Sequence, residues 1–186
     1  MNEENLVKCE NSVNCDKRTL PGHVWKFGDN LSTDHILPSR FMTMVKPHEL
    51  AANCLSGADP EFAQRVQRGD IVVTGVNTGY GSSREQAPQA LKHAGVQAVI
   101  AKSFARIFYR NCYNVGMPAI VCPDFTSEVQ NQDQVEINLE EGVIINLTTG
   151  KHYQFIKPPA FLLEYIRLGG LIPYLTASLL SGRAKI

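Results

Sequence analysis

Three short apolar runs, Ile71-Val72-Val73, Val96-Gln97-Ala98-Val99-Ile100 and Ala119-Ile120-Val121-Cys122, constrain this chain more than anything else in it. Each is too short for a helix, and each reads as a buried strand. Segments of helical character separate them. One spans 85–93 and stops at Gly95; the other spans 104–113 and carries Phe104, Ile107 and Phe108 on one face. Strands and helices in alternation build an α/β sheet. A further strand is expected at 23–27. Residues 47–55 read as a short helix with Pro47 at its start, and 60–68 as another closed near Gly69. Residues 134–139 and 142–147 alternate around Glu140-Glu141 as a hairpin. A last clear helix spans 159–168 and ends at Gly169-Gly170. The expected fold is one α/β domain with a mixed sheet. Residues 1–21 are polar and rich in Asn and Glu, and read as a flexible N-terminal extension. That leaves 22–186 as the domain.

Gly79-Tyr80-Gly81-Ser82-Ser83-Arg84-Glu85 stands where the first strand hands over to its helix. Glycines let a backbone approach a ligand closely. N–H groups at a helix start attract anions. The Arg84 guanidinium is a planar fork suited to a carboxylate. Nucleotide fingerprints fit poorly: the dinucleotide pattern has a third glycine where Arg84 stands, and the phosphate loop has a Gly-Lys pair that is absent. Two readings remain on the residues alone. The segment is a small-anion site, or it is a tight turn in which a serine caps the helix.

A longer string, Gly75-Val76-Asn77-Thr78-Gly79-Tyr80-Gly81-Ser82-Ser83-Arg84-Glu85-Gln86-Ala87-Pro88, resembles the signature of the aconitase C-terminal (swivel) domain family. Within that family it is most similar to the small subunits of 3-isopropylmalate dehydratases. Trp25-Lys26-Phe27-Gly28-Asp29-Asn30-Leu31-Ser32-Thr33-Asp34-His35-Ile36-Leu37-Pro38-Ser39-Arg40-Phe41 is a second matching block. Ala101-Lys102-Ser103-Phe104-Ala105-Arg106-Ile107-Phe108-Tyr109-Arg110-Asn111 is a third. The resemblance implies the swivelling β/β/α fold. It implies Ser82 as an alkoxide base that removes the proton next to a carboxylate. Arg84, backbone N–H groups and a helix N-terminus would favour the charged serine. It also implies that Ser83 and Arg84 contact the substrate carboxylate and that Asp34 belongs to the active-site network. The plainer alternatives are Ser82 as a helix cap, Arg84 in a surface pair with Glu85 or another acid, and Asp34 in an Asx turn. The loop after Pro38 is expected to read the substrate through Arg40 and Thr43. Some relatives that take a longer acid carry an arginine near position 43. Thr43 between Met42 and Met44 favours an alkyl substituent over a carboxylate. Lys102 and Arg106 face the cleft, a partner or solvent, with no role assigned.

The activity implied is that of the small subunit of a hydro-lyase. Such an enzyme isomerises 2-isopropylmalate and 3-isopropylmalate by dehydration and rehydration in leucine biosynthesis. The alternatives are a small subunit for homoaconitate or another alkylmalate, such as dimethylmalate or citramalate, and a non-catalytic carboxylate-binding partner. The family works with a [4Fe–4S] cluster, which takes about three or four thiolates. The five cysteines here, Cys9, Cys15, Cys54, Cys112 and Cys122, include no CxxC pair. No metal is therefore expected on this chain. The cluster is expected on a separate large subunit, in a heterodimer or heterotetramer that is active only when assembled. Lys and Arg total 18, Asp and Glu total 18, and the net charge is zero, which disfavours nucleic acid. No apolar run approaches the roughly 20 residues that span a bilayer. The acidic, polar start from Met1 to Asn5 is unlike a targeting signal, so the expected location is the cytoplasm.

Overall fold

The structure is a computed structural model and describes residues 19–181. Its strands are β1 (Thr19–Lys26), β2 (Ile71–Thr74), β3 (Ala98–Ala101), β4 (Ala119–Val121), β5 (Gln134–Asn138), β6 (Val143–Asn146) and β7 (Lys151–Gln154). Its helices are α1 (Thr33–Ile36), α2 (Pro47–Ala52), α3 (Phe62–Arg65), α4 (Gln86–His93), α5 (Arg106–Asn114), α6 (Pro123–Glu128), α7 (Ala160–Leu168) and α8 (Leu171–Leu180). Among the described residues the strands form one mixed sheet in the order β4-β3-β2-β1-β5-β6-β7.

The sheet has two halves that meet on β1. The end of β1, from Val24, pairs in parallel with β2, and β2, β3 and β4 continue in parallel. The beginning of β1, Thr19 to His23, pairs antiparallel with β5, and the β5–β6–β7 meander follows. The strand therefore starts at Thr19, four residues before the expected His23. Residues 19–21 belong to the sheet rather than to an extension. The rest of the expected extension, with Cys9 and Cys15, lies outside the described residues.

Successive side chains of the parallel strands enter opposite cores, as the period of 2 requires. Trp25, Val72, Val99 and Ala119 face one core with α2, α4 and α5 residues such as Leu50, Leu91 and Phe108. Val24, Ile71, Val73, Ala98, Ile100 and Ile120 face the other. Val135, Ile137 and Ile144 of the antiparallel arm share that second core, so the sheet curls over its own far face. Both faces of the parallel half are covered, which is why its strands read as apolar runs.

Several boundaries differ from expectation. The helix expected over 60–68 is reduced to Phe62–Arg65, with Phe62 buried against Trp25 at 4.9 Å between ring centroids. α1, α6, α8 and β7 carried no clear sequence signal. α8 follows directly on Gly169-Gly170, the pair read as the end of helical structure. Its Pro173 lies in the first turn, where no intrahelical N–H bond is lost. Lys92 ties this region to the core: its Nζ donates to the carbonyls of Val115 and Gly169 at 2.6 and 2.9 Å, the C-caps of α5 and α7. A cation there complements both helix dipoles. Burial lowers the Lys92 pKa from its ordinary value.

Candidate active site

The candidate site lies at the C-terminal edge of three neighbouring parallel strands, where open α/β sheets bind ligands. β1 delivers residues 27–41, β2 delivers 75–85, and β3 delivers 102–105 into α5. These three segments continue the ladder beyond the strands. Asn30 N donates to Val76 O at 2.8 Å, Gly79 N to Leu31 O at 2.6 Å and Thr33 N to Tyr80 O at 2.9 Å. On the other side Thr78 N donates to Ser103 O at 3.0 Å and Ala105 N to Thr78 O at 2.9 Å. Side chains reinforce the stitching: Asp29 Oδ1 accepts from Val76 N, and Ser103 Oγ accepts from Asn77 N, both at 2.9 Å.

Gly79 makes this closeness possible. Its φ is +75°, and a Cβ there would stand 2.0 Å from Cγ of Phe108. Only a glycine fits both the backbone angle and the aromatic ring of α5 beneath it. Thr33 holds the next residues from the other side. Its Oγ1 donates to the carbonyl of Ser82 at 3.1 Å. The Ser82 backbone is thus fixed while its hydroxyl stays exposed, with no hydrogen-bond partner among the described residues.

Ser82 does not cap α4, so that alternative is set aside. The α4 N-cap is Glu85, three residues on, and it makes no side-chain cap bond. The helix start that faces the serines is α5. A cleft of about 240 Å³ is lined on one wall by Gly79, Gly81, Ser82, Ser83 and Arg84, and on the other by Ala105, Arg106, Ile107 and Phe108. The helix start that shares this cleft with Ser82 is that of α5, reached from β3, rather than that of the helix that follows Ser82 in sequence.

Arg84 is the residue the structure changes most. Its side chain is 5 % exposed and turned inward. Nη1 donates to Asp34 Oδ1 at 2.7 Å and Nη2 to Asp34 Oδ2 at 3.1 Å, a two-pronged carboxylate contact. Nη1 also donates to the carbonyl of Leu37 at 3.1 Å, and Nη2 to Ser39 Oγ at 3.4 Å. Ser39 Oγ in turn donates to Asp34 Oδ1 at 2.6 Å. Nε is buried with no partner among the described residues. The fork expected to hold a substrate carboxylate thus holds that of Asp34. The pair is a partly buried tie between the 33–41 loop and the 79–85 turn, not an exposed contact with Glu85. The Arg84 guanidinium, and then the Ser39 hydroxyl, hold the Asp34 carboxyl below its ordinary value of 3.8.

His35 has a structural job. Ser32 Oγ accepts from His35 N at 3.0 Å, and His35 Nδ1 accepts from Ser32 N at 3.2 Å. This reciprocal cap starts α1, with histidine in the place glutamate usually takes. It fixes the turn from which Asp34 projects.

The structure brings Ser82, Ser83, Arg84 and Asp34 together. It does not bring Arg40 or Thr43 to the cleft. Arg40 lies over the ring of Phe41, its guanidinium carbon 4.7 Å from the centroid, and Thr43 is exposed beyond it. Arg40 lies in the short helical turn Ser39–Phe41 after Pro38, and Thr43 follows it. Ser39 and Leu37 are the participants sequence reasoning missed. Their signal was their place in the second matching block. Among the described residues no three His, Cys, Asp or Glu side chains converge on a metal position. Cys54 and Cys112 lie in one core and Cys122 in the other. Burial pushes all three thiols up, away from the thiolate a cluster needs. This donor set does not fit an iron–sulfur centre.

A family profile described as "Aconitase C-terminal domain" matches residues 55–124. The isopropylmalate/citramalate isomerase small subunit of Methanocaldococcus jannaschii is 53 % identical, over 84 % of this chain and 93 % of that protein. The 3-isopropylmalate dehydratase small subunit of Aquifex aeolicus is 49 % identical, over 86 % of this chain and 96 % of its own length. The small subunit 1 of the Thermotoga maritima enzyme is 52 % identical, over 84 % and 94 %. Among solved structures, a 3-isopropylmalate dehydratase from M. jannaschii superposes with a TM-score of 0.84. It is 42 % identical, over 88 % of this chain and 97 % of that one. The chain belongs to the family of 3-isopropylmalate dehydratase small subunits, the hydro-lyase components built on the aconitase C-terminal domain.

Proposed function

We propose that this chain supplies the proton-removing half of an active site that interconverts 2-isopropylmalate and 3-isopropylmalate, a step of leucine biosynthesis. Ser82, as the alkoxide, takes the proton from the carbon next to a carboxylate, and the hydroxyl leaves the adjacent carbon as water with a proton given by an acid of the large subunit. Water then adds with the two positions exchanged and returns that proton to the acid. Ser82 then gives its proton back, so the chain is unchanged after each turnover. The observation that carries this reading is an exposed Ser82 hydroxyl on a backbone pinned by Thr33, facing the start of α5 across a small cleft. Positive potential from that helix end and from the nearby arginines favours the alkoxide. Ser83 binds the substrate beside it. Asp34 orients the serine turn through Arg84, and Arg84 meets the substrate carboxylate by exchange with Asp34.

The cleft is one wall short of an enclosed site, which fits a chain that works against a large subunit. In this reading that subunit carries the [4Fe–4S] cluster, which when bound supplies a Lewis acid for the departing hydroxyl. The two chains assemble as a heterodimer or heterotetramer in the cytoplasm. Among the described residues no helix is long and apolar enough to cross a membrane. Arg40 and Thr43 lie outside the cleft of this chain, and in this reading they meet the substrate only where the large subunit closes the site. The M. jannaschii relative whose name includes citramalate favours a second reading, in which a smaller alkylmalate is also accepted.

The test is reconstitution with the cluster-bearing large subunit. Ser82→Ala should lower kcat by about 10²- to 10⁴-fold with normal assembly. Near-normal turnover would remove Ser82 from the base role. Measuring isopropylmalate and citramalate side by side distinguishes the two substrate readings.

A further inference from the structure

A diacid substrate brings two carboxylates, yet Arg84, the arginine in the serine motif, has both terminal nitrogens committed to Asp34, Leu37 and Ser39. The opposite wall offers a different cation. Arg106 occupies the first position of α5, is exposed, and lines the cleft with Ser82 and Ser83. Its side chain makes no hydrogen bond or ion pair among the described residues. The helix start that carries it has no side-chain cap. The rest of this wall is Ala105, Ile107 and Phe108, which offer no competing acid and little polar surface. A guanidinium held beside apolar side chains and facing two free hydroxyls is arranged to meet an anion between the walls.

We propose that Arg106 is the residue that binds a carboxylate of the substrate across the cleft from Ser82 and Ser83. The inference rests on the reading of the cleft as the hydroxy-diacid site. It divides the two carboxylates of the diacid: Arg84 meets the one beside the serine wall by exchange with Asp34, and Arg106 takes the other. Three features favour the contact on Arg106: its fork makes no hydrogen bond or ion pair among the described residues, the first turn of α5 adds positive potential at the same cleft, and Gly79 sets α5 against the serine turn through Phe108.

The experiment uses the assembled enzyme, with Arg106→Gln, Arg106→Lys and Ser82→Ala made separately, and KM measured at saturating small subunit. Inhibition by an unreactive saturated diacid is compared with inhibition by its half-amide. Arg106→Gln should raise KM about 10- to 100-fold, with a smaller change in kcat. It should also lose the preference for the diacid over the half-amide, which an indirect structural effect would leave in place. Arg106→Lys should recover part of both. If Ser82→Ala abolishes turnover while Arg106→Gln keeps KM within about two-fold of the parent, the inference is overturned and the cleft reading stands. If the KM defect vanishes once the large subunit is saturated, Arg106 holds the partner rather than the substrate, and the inference is likewise overturned. If Ser82→Ala itself leaves turnover intact, the cleft reading fails first and takes this inference with it.

Discussion

The two walls of the cleft are held in opposite ways. The serine wall, residues 79–84, is cross-tied: main-chain bonds join Gly79 and Tyr80 to the segment after β1, Thr33 clamps Ser82, and Arg84 is paired with Asp34 and Ser39. The α5 wall is packed rather than tied: Phe108 lies beneath Gly79, Cys112 and Tyr113 are buried behind it, and its arginine makes no hydrogen bond or ion pair among the described residues. A group that must sit accurately before a reaction is built from saturated contacts, because every competing position then costs a bond. A group that must recognise an incoming charge is left unsatisfied, because a partner already in place would have to be displaced.

Perturbations of the two walls should therefore differ, and the largest effect belongs where the walls touch. Gly79→Ala forces a β-carbon into the Phe108 ring at a φ of +75°. Strain and overpacking together should cost about 3–5 kcal/mol, read from urea unfolding. A cost below about 1 kcal/mol would mean that the two walls are not rigidly coupled.

The next effect separates the two ends of the Arg84–Asp34 tie. Arg84 is 5 % exposed and Asp34 is 50 % exposed. Asp34→Ala strands a buried cation and should cost about 3 kcal/mol. Arg84→Met leaves a half-solvated carboxylate and should cost only about 1 kcal/mol. Equal losses in thermal unfolding would show that the tie is an exposed pair after all.

The smallest effect is acid sensitivity. Arg84, and then Ser39, lower the Asp34 pKa from 3.8, so the stability this gives is fully present above that value. It is lost as pH falls below 3.8 through the depressed value. Asp34→Asn should flatten that part of the acid-unfolding curve and leave stability above pH 5 without an added slope.

Much of this could be read in the chain. Ile71, Val72 and Val73 announced a strand covered on both faces because both cores demand apolar side chains there. The serine turn announced itself through glycines whose backbone angles no other residue adopts easily. What stayed hidden depended on distant partners. Asp34 is 50 residues from Arg84, and no local pattern says that one carboxylate will occupy the other's fork. Nearness in sequence points to the helix after Glu85 as the one beside Ser82, whereas the parallel sheet brings β3 and the start of α5 to the same cleft. β7 buries only Tyr153 of its four residues, so it has no apolar run to betray it.

The Arg84–Asp34 tie also bears on how the complex comes together. A guanidinium buried without its own counter-ion would leave folding waiting for a metabolite or for an acid on another polypeptide. Here the neutralising carboxylate is encoded in the same chain, together with the carbonyl and hydroxyl that complete its coordination. Folding of this subunit need not be timed to the synthesis of its mate, and the order in which the two gene products are made is left free.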